Sequence, residues 1–193
     1  MVPVRLDLKD AASIAAAAEL ARDVTLLVNN AGVASGARLL GADTIDAARE
    51  EMEVNYFGTL SVTRAFAPVL AANGGGAVVN VLSILSRVNL PSVGSYSASK
   101  AAALSLTQGI RAELAAQGTH VLAVMPAFVD TDMAVNVAGP KIPPHEVVAD
   151  AIRALAAGEE EVYPGAQAAG MAAALMHDPK GLERQLAALL RPA

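Results

Sequence analysis

Two kinds of stretch alternate along the chain: short runs that are apolar at nearly every position, and longer stretches with helical spacing. Residues 24–28 (VTLLV), 77–82 (AVVNVL) and 120–125 (HVLAVM) read as strands buried on both faces. Residues 2–8 form a further short β-type run, and residues 161–163 a short last strand. Between them, Asp10 is placed to cap a helix over 11–22. A long helix is predicted from Thr44 to about Ala72, with Glu50, Glu51 and Glu53 on its polar side. Further helices are predicted over 95–117, closed by Gly118, and over 145–157, 166–176 and 179–190. Residues 74–76, 87–94 and 130–144 carry the glycines and prolines of turns and loops. Alternating β and α with buried strands predicts an α/β fold around a doubly wound parallel sheet. In such sheets ligands bind outside the carboxyl ends of the strands. The chemistry is therefore expected just after Val28, Leu82 and Met125.

Composition narrows the function classes. The 193 residues suit a single domain, and the net charge of −5 with no basic run argues against a nucleic-acid partner. Aromatic residues are 3% with no Trp, which leaves no stacking platform for single strands. The absence of Cys removes thiolate metal sites and cysteine nucleophiles, and the three histidines have no metal-binding spacing, so no metal is expected. Hydropathy is positive on average, but the longest uncharged stretch, 65–86, is broken by Pro68 and the glycines at 74–76, so no membrane span is expected. The first ten residues have no signal-peptide pattern, and a cytoplasmic protein is the default expectation.

Distinctive clusters fall where the topology asks for chemistry. Asn29-Asn30-Ala31-Gly32 follows the first buried strand, Ser83 the second, and residues 126–131 (PAFVDT) the third. Tyr96-Ser97-Ala98-Ser99-Lys100 opens the next helix. Each is a weak signal alone: a bare Tyr-x-x-x-Lys is an ordinary helix pair, and Pro after a strand is a stop. A serine hydrolase would need Gly-x-Ser-x-Gly, and Ser83 lies in VLSIL. Tyr96 and Lys100, four apart, share a helix face. An ammonium beside the phenol is expected to lower its pKa and suit it to proton transfer.

With NYFG around Asn55 and NVLS ending in Ser83, these motifs closely resemble the short-chain dehydrogenase/reductase family over most of the chain, from Val2 to about Tyr163. Ser83 lies thirteen residues before Tyr96, the family's common spacing. The resemblance implies a Rossmann-like fold and a reaction that interconverts a carbonyl and a secondary alcohol by hydride transfer with NAD or NADP. It implies Tyr96 as general acid/base, Ser83 as the group that orients the substrate oxygen, Lys100 on the nicotinamide ribose, and Asn55 on a proton relay. Asp7, Asn29, Ala31, Gly32, Pro126, Val129 and Thr131, with Tyr96 and Lys100, are implied at the cofactor. Residues 132–193 would shape the substrate pocket within a single partial domain over 1–193. Helices 44–72 and 95–117 would form a homodimer or homotetramer.

The chain departs from the family in three places. Ala127 stands where Gly is usual, a mild change unless φ is positive, and Ser86 stands where Gly is frequent. No glycine-rich turn precedes the first buried strand, and Gly32, Gly36 and Gly41 have the wrong spacing to replace it. The Rossmann-like sheet is therefore expected to be incomplete, with the first two strand–helix units missing and residues 2–8 matching the family's third strand. Residues 24–28 would then be an apolar edge, either open or covered by 2–8. The NAD/NADP choice is unreadable, and the chain is expected to be impaired or inactive, with a non-catalytic scaffold or oligomerisation partner as the alternative.

Overall fold

The protein is described here by a computed structural model covering residues 2–190. Four parallel strands, β1 (Leu26–Asn29), β2 (Ala77–Val81), β3 (His120–Val124) and β4 (Glu161–Val162), lie in that spatial order. Helices α1 (Ala11–Leu20), α2 (Asp46–Met52), α3 (Thr59–Ala72), α4 (Gly94–Ala115), α5 (Pro144–Ala156), α6 (Gly165–His177) and α7 (Pro179–Ala187) complete the α/β fold. Alternate strand residues serve opposite layers, as the two-residue period requires. Leu27, Val78 and Val121 pack with Ile14, Phe66, Leu70 and Ile110 from α1, α3 and α4. Val79, Leu122 and Val124 pack under α5 against Ala154. This is the doubly wound arrangement expected from the continuous apolar runs.

The α3–β2 turn shows what its three glycines do. Gly74, Gly75 and Gly76 all have positive φ. A Cβ at Gly76 would collide with the Thr25 carbonyl, the same oxygen that accepts the Ala77 N–H at 2.9 Å. The missing side chain lets β2 enter the sheet beside β1.

Two expectations are corrected. Residues 2–8 do not form a strand. They run to a turn at 8–9, where Asp7 Oδ1 accepts the Lys9 N–H and the Asp7 carbonyl accepts the Asp10 N–H. An extended segment becomes a strand by pairing, and here local Asp-centred bonds take the backbone groups instead. The segment is held to α1, where Ser13 Oγ accepts the Asp7 N–H at 2.9 Å, and by side chains: Leu8 packs against the first core cluster, and Leu6 lines a small cleft beside Val28 and Asn29. Among the described residues β1 therefore keeps an open edge, with Leu26 and Val28 about half exposed, at 47% and 50%. Asp10 does cap α1, accepting the Ala12 N–H at 2.9 Å.

The long helix expected from Thr44 to Ala72 is likewise not one α-helix. A π-helical turn over Glu53–Gly58 separates α2 from α3 and carries Asn55. Such turns are most often local bulges at functional sites. Among the described residues no helix is long and apolar enough to cross a membrane.

Candidate active site

The carboxyl ends of the strands lead directly into the site. Ser83 follows β2 in extended conformation, and its Oγ accepts the Leu85 N–H at 3.1 Å, starting a short 3₁₀ turn over Ile84–Ser86. The Ile84 N–H donates to the Pro126 carbonyl at 2.9 Å, which fastens the segment after β3 to the segment after β2. The Tyr96 hydroxyl, near the start of α4, faces the Ser83 side chain. One helical turn on, the Lys100 Nζ lies 5.8 Å from the Tyr96 ring centroid and donates to the Val81 carbonyl at 3.1 Å. Lys100 is buried, at 5% exposure, yet among the described residues its three-donor ammonium makes that one hydrogen bond.

Gly32 completes the wall. A Cβ there would lie 3.0 Å from Asn55 Oδ1 and 3.3 Å from Lys100 Nζ, so a side chain would press on both groups. Asn55 is locked from several directions. Its Oδ1 accepts the Val33 N–H, and its Nδ2 donates to the Val33 carbonyl and to Ser99 Oγ, each at 2.9 Å. The Ser99 hydroxyl passes a bond on to the Tyr96 carbonyl at 2.8 Å. The π-helical turn, the strand-end loop and the start of α4 thus share one polar node.

The electrostatics reverse one expectation. Burial pushes the Tyr96 phenol up, to about 12, against the lowering effect of the Ser83 side chain. Lys100 does not pull it down, because burial weakens the ammonium itself and lowers Lys100 to about 8. Desolvation is the leading cause for both groups. At neutral pH Tyr96 is a phenol, equipped to donate.

The remaining sequence-named residues divide. The Asn29 side chain turns into the protein, where Nδ2 donates to Asn80 Oδ1 at 2.8 Å and Thr63 Oγ1 at 3.1 Å. Asn80 in turn donates to Thr107 Oγ1 at 2.9 Å, and Thr107 to the Ala103 carbonyl. This buried chain ties α3 to α4 across β1 and β2, and it is the work of the Asn29 amide. Ala31 is exposed at the strand end, and Asp7 is exposed in the turn before α1. Pro126 is buried, Val129 bridges to Ile142, and Thr131 is exposed at the head of the 132–134 turn. Among the described residues no non-glycine residue has positive φ, so Ala127 is unstrained in the family's glycine position. Thr107→Val, which keeps the volume but ends the amide chain, is expected to cost about 1–2 kcal/mol, read as an earlier urea midpoint.

One member of the site was misplaced by sequence reasoning. Glu51, expected on a solvated face, is fully buried. Its spacing of four from Asn55 was the available signal, since that spacing repeats a helix face. Among the described residues no cluster of three or more His, Cys, Asp or Glu side chains is arranged for a metal.

Residues 1–141 match the family model for short chain dehydrogenase. The chain belongs to the short-chain dehydrogenase family. It is 35% identical over 138 residues to dehydrogenase/reductase SDR family member 7B of Mus musculus, covering 69% of this chain and 42% of that protein. It is 42% identical over 134 residues to galactitol 2-dehydrogenase (L-tagatose-forming) of Cereibacter sphaeroides, covering 66% and 52%. The chain thus spans less than half the length of the mouse relative. Among solved structures, a short chain dehydrogenase from Burkholderia cenocepacia J2315 in complex with NADP superposes with TM-score 0.93 and 50% identity, covering 99% of this chain and 79% of that one. A short chain dehydrogenase/reductase from Burkholderia phymatum in complex with NAD gives TM-score 0.79 at 25% identity, covering 95% and 76%.

Proposed function

We propose that this chain carries the proton-transfer site of an NAD- or NADP-dependent oxidoreductase that interconverts a small carbonyl compound and a secondary alcohol. The observation that carries the reading is the Tyr96 hydroxyl facing Ser83, with the Lys100 ammonium 5.8 Å from the centre of the same ring. Bound nicotinamide supplies the hydride. Everything else is asked of side chains. Ser83 holds the substrate oxygen next to the phenol. Tyr96 gives that oxygen its proton, since the alkoxide that develops there is more basic than even a phenolate with a conjugate acid near 12. In the oxidative direction the same phenolate would take the proton back.

The residues present fit the nicotinamide end of the cofactor. The bare Cα of Gly32 leaves open the space beside Lys100, whose spare N–H donors suit the ribose hydroxyls. Thr131, exposed at the head of its turn, is available for the carboxamide; the segment before it is held by the Pro126 carbonyl, which accepts the Ile84 N–H, and by the bridge from Val129 to Ile142. Asn55 fixes the loop after β1 so that Gly32 stays in place. Relatives in complex with NADP and with NAD support either cofactor.

We also assign the groove between α3 and α4 to self-association. It is lined by Leu60, Ala67 and Leu106, with Arg64 on one helix and Glu113 on the other, a pairing that a two-fold axis would match across two copies.

The test of the function is consumption of NADPH or NADH, followed optically, with a panel of ketones and aldehydes. A saturable change in cofactor fluorescence is the expected result, with carbonyl-dependent oxidation that is slow, in keeping with a site expected to be impaired. Fluorescence of both cofactors unchanged by millimolar protein-site concentrations would refute the reading.

A further inference from the structure

Glu51, in the last turn of α2, is wholly buried and has no place in the proton transfer just described. Its Oε1 accepts two hydrogen bonds from one residue, the Ser35 N–H and the Ser35 hydroxyl, both at 2.7 Å. Its Oε2 is buried with no hydrogen-bond partner. A buried carboxylate oxygen without a donor is costly, and an apolar side chain of similar size would pack there without that penalty. Stability therefore does not explain a glutamate at this position.

The surroundings do. Ser35 belongs to the loop that begins at Gly32, against Asn55 and Lys100. Two residues further on, the Ala37 carbonyl accepts a bond from Ser95 Oγ at 3.3 Å, and Ser95 adjoins Tyr96. Gly36, at φ +71°, supplies the left-handed bend between the two attachments. The loop is thus pinned to α2 through Glu51 and to α4 next to the phenol.

We propose that Glu51 is a positioning residue for Tyr96: one oxygen pins the 32–37 loop across the start of α4, and the other sets a buried carboxyl oxygen without a donor where α2 packs against α4, the helix that carries the phenol. The proposal rests on the reading of Tyr96 as proton donor. The charge on Glu51 acts on the Tyr96 hydroxyl in the same upward direction as burial. Charges on the elements packed around Tyr96 are otherwise accounted for. On α2, Asp46 pairs with Arg49, and Glu50 with Lys9. Glu53 of the π-helical turn is exposed. Arg87, after β2, is held by Glu161 and Tyr163. Arg38 of the loop is engaged as well. Lys100, on α4 itself, faces the ring.

The test needs no turnover. The chain has three tyrosines, 56, 96 and 163, so ring-carbon NMR resolves each titration, with Tyr96→Phe as the assignment. In the native chain Tyr96 is expected to stay protonated to about pH 11. In Glu51→Gln its titration is expected to begin on the order of one pH unit lower, with Tyr56 and Tyr163 unmoved. Glu51→Asp keeps the charge and is expected to restore the native behaviour. Ser35→Ala keeps the charge but loosens the clamp, so amide exchange over 33–37 is expected to quicken about tenfold while Tyr96 titrates as before. A Tyr96 titration unchanged in Glu51→Gln, or moved as far by Asp as by Gln, overturns the electrostatic role. Should Glu51→Gln fail to fold, Ser35→Ala decides the clamp: unchanged loop exchange overturns it. An active Tyr96→Phe would instead sink the catalytic reading while leaving these titrations to stand on their own.

Discussion

Tyr96→Phe is expected to reduce carbonyl-dependent NAD(P)H oxidation about a thousandfold, in the middle of the range for loss of a positioned acid. The substitution deletes one oxygen atom from a half-buried ring. The ring keeps its packing, and Ser83 Oγ keeps the Leu85 N–H as a donor, so no buried group is stranded on that side. Folding stability should therefore change by no more than about 1 kcal/mol, which a thermal melt checks. The effect should appear in kcat rather than in cofactor affinity, because the proton moves only as the hydride does. The burial that holds the phenol near 12 also sets a direction: at neutral pH the site starts with its proton on, and reduction is the step for which it is prepared. Turnover in Tyr96→Phe equal to that of the native chain would remove the phenol from the mechanism.

How much of this could be read from the chain depended on the range of the interaction. The sheet and its order follow from local pattern: continuous apolar runs at 77–82 and 120–125 have no stable place except between neighbours, and they are the two central strands. The meeting of Ser83, Tyr96 and Lys100 was also legible, since two of the three share a helix face and the third ends the strand beneath it. What failed was whatever depended on a distant partner. Residues 2–8 have strand-like composition but no strand beside them, and Asp7 and Asp10 took over the backbone. Glu51 looks solvated in a helix of acidic residues until the loop carrying Ser35 folds over it. Asn29 looks like a ligand-facing strand end, yet its amide is taken by Asn80, fifty-one residues away. The π-helical turn at Asn55 has no signature in hydrophobic period, because one extra residue per turn shifts the face by less than the scatter of the pattern. The wrong sign for the Tyr96 shift has the same origin. Sequence spacing shows that a cation is near, but not that both groups are dry.

That dryness carries the second large expectation: Lys100→Met should make the protein more stable while disabling the site. Burial lowers the folded-state Lys100 to about 8 from an ordinary 10.5. At pH 7 both the folded and unfolded chains hold the proton, so the full cost of keeping a charge out of water is present. As pH rises from about 8 to 10.5 the folded chain releases its proton first, the unfolded chain binds more protons, and stability climbs. Methionine has similar length and no charge to desolvate. It forfeits the bond to the Val81 carbonyl, about 1 kcal/mol, against a desolvation cost near 3 kcal/mol, so about 2 kcal/mol should be gained at pH 7. For a chain of this size that is a rise in Tm of about 4–8 °C. The advantage should shrink and reverse through the pH 8–10.5 window, and above it the native lysine should be the more stable by the roughly 1 kcal/mol of its bond to the Val81 carbonyl. Tyr96 contributes a slope of opposite sign, present in both chains: between about 10 and 12 the unfolded phenol ionises while the folded one does not, so stability falls as pH rises. Urea unfolding at pH 7 and pH 10 reads the Lys100 effect, and a further point at about pH 11 reads the Tyr96 slope. A Met variant less stable than the native chain at pH 7 would mean that Lys100 is stabilised in place, and that its ammonium is retained for the fold rather than for the ligand it faces.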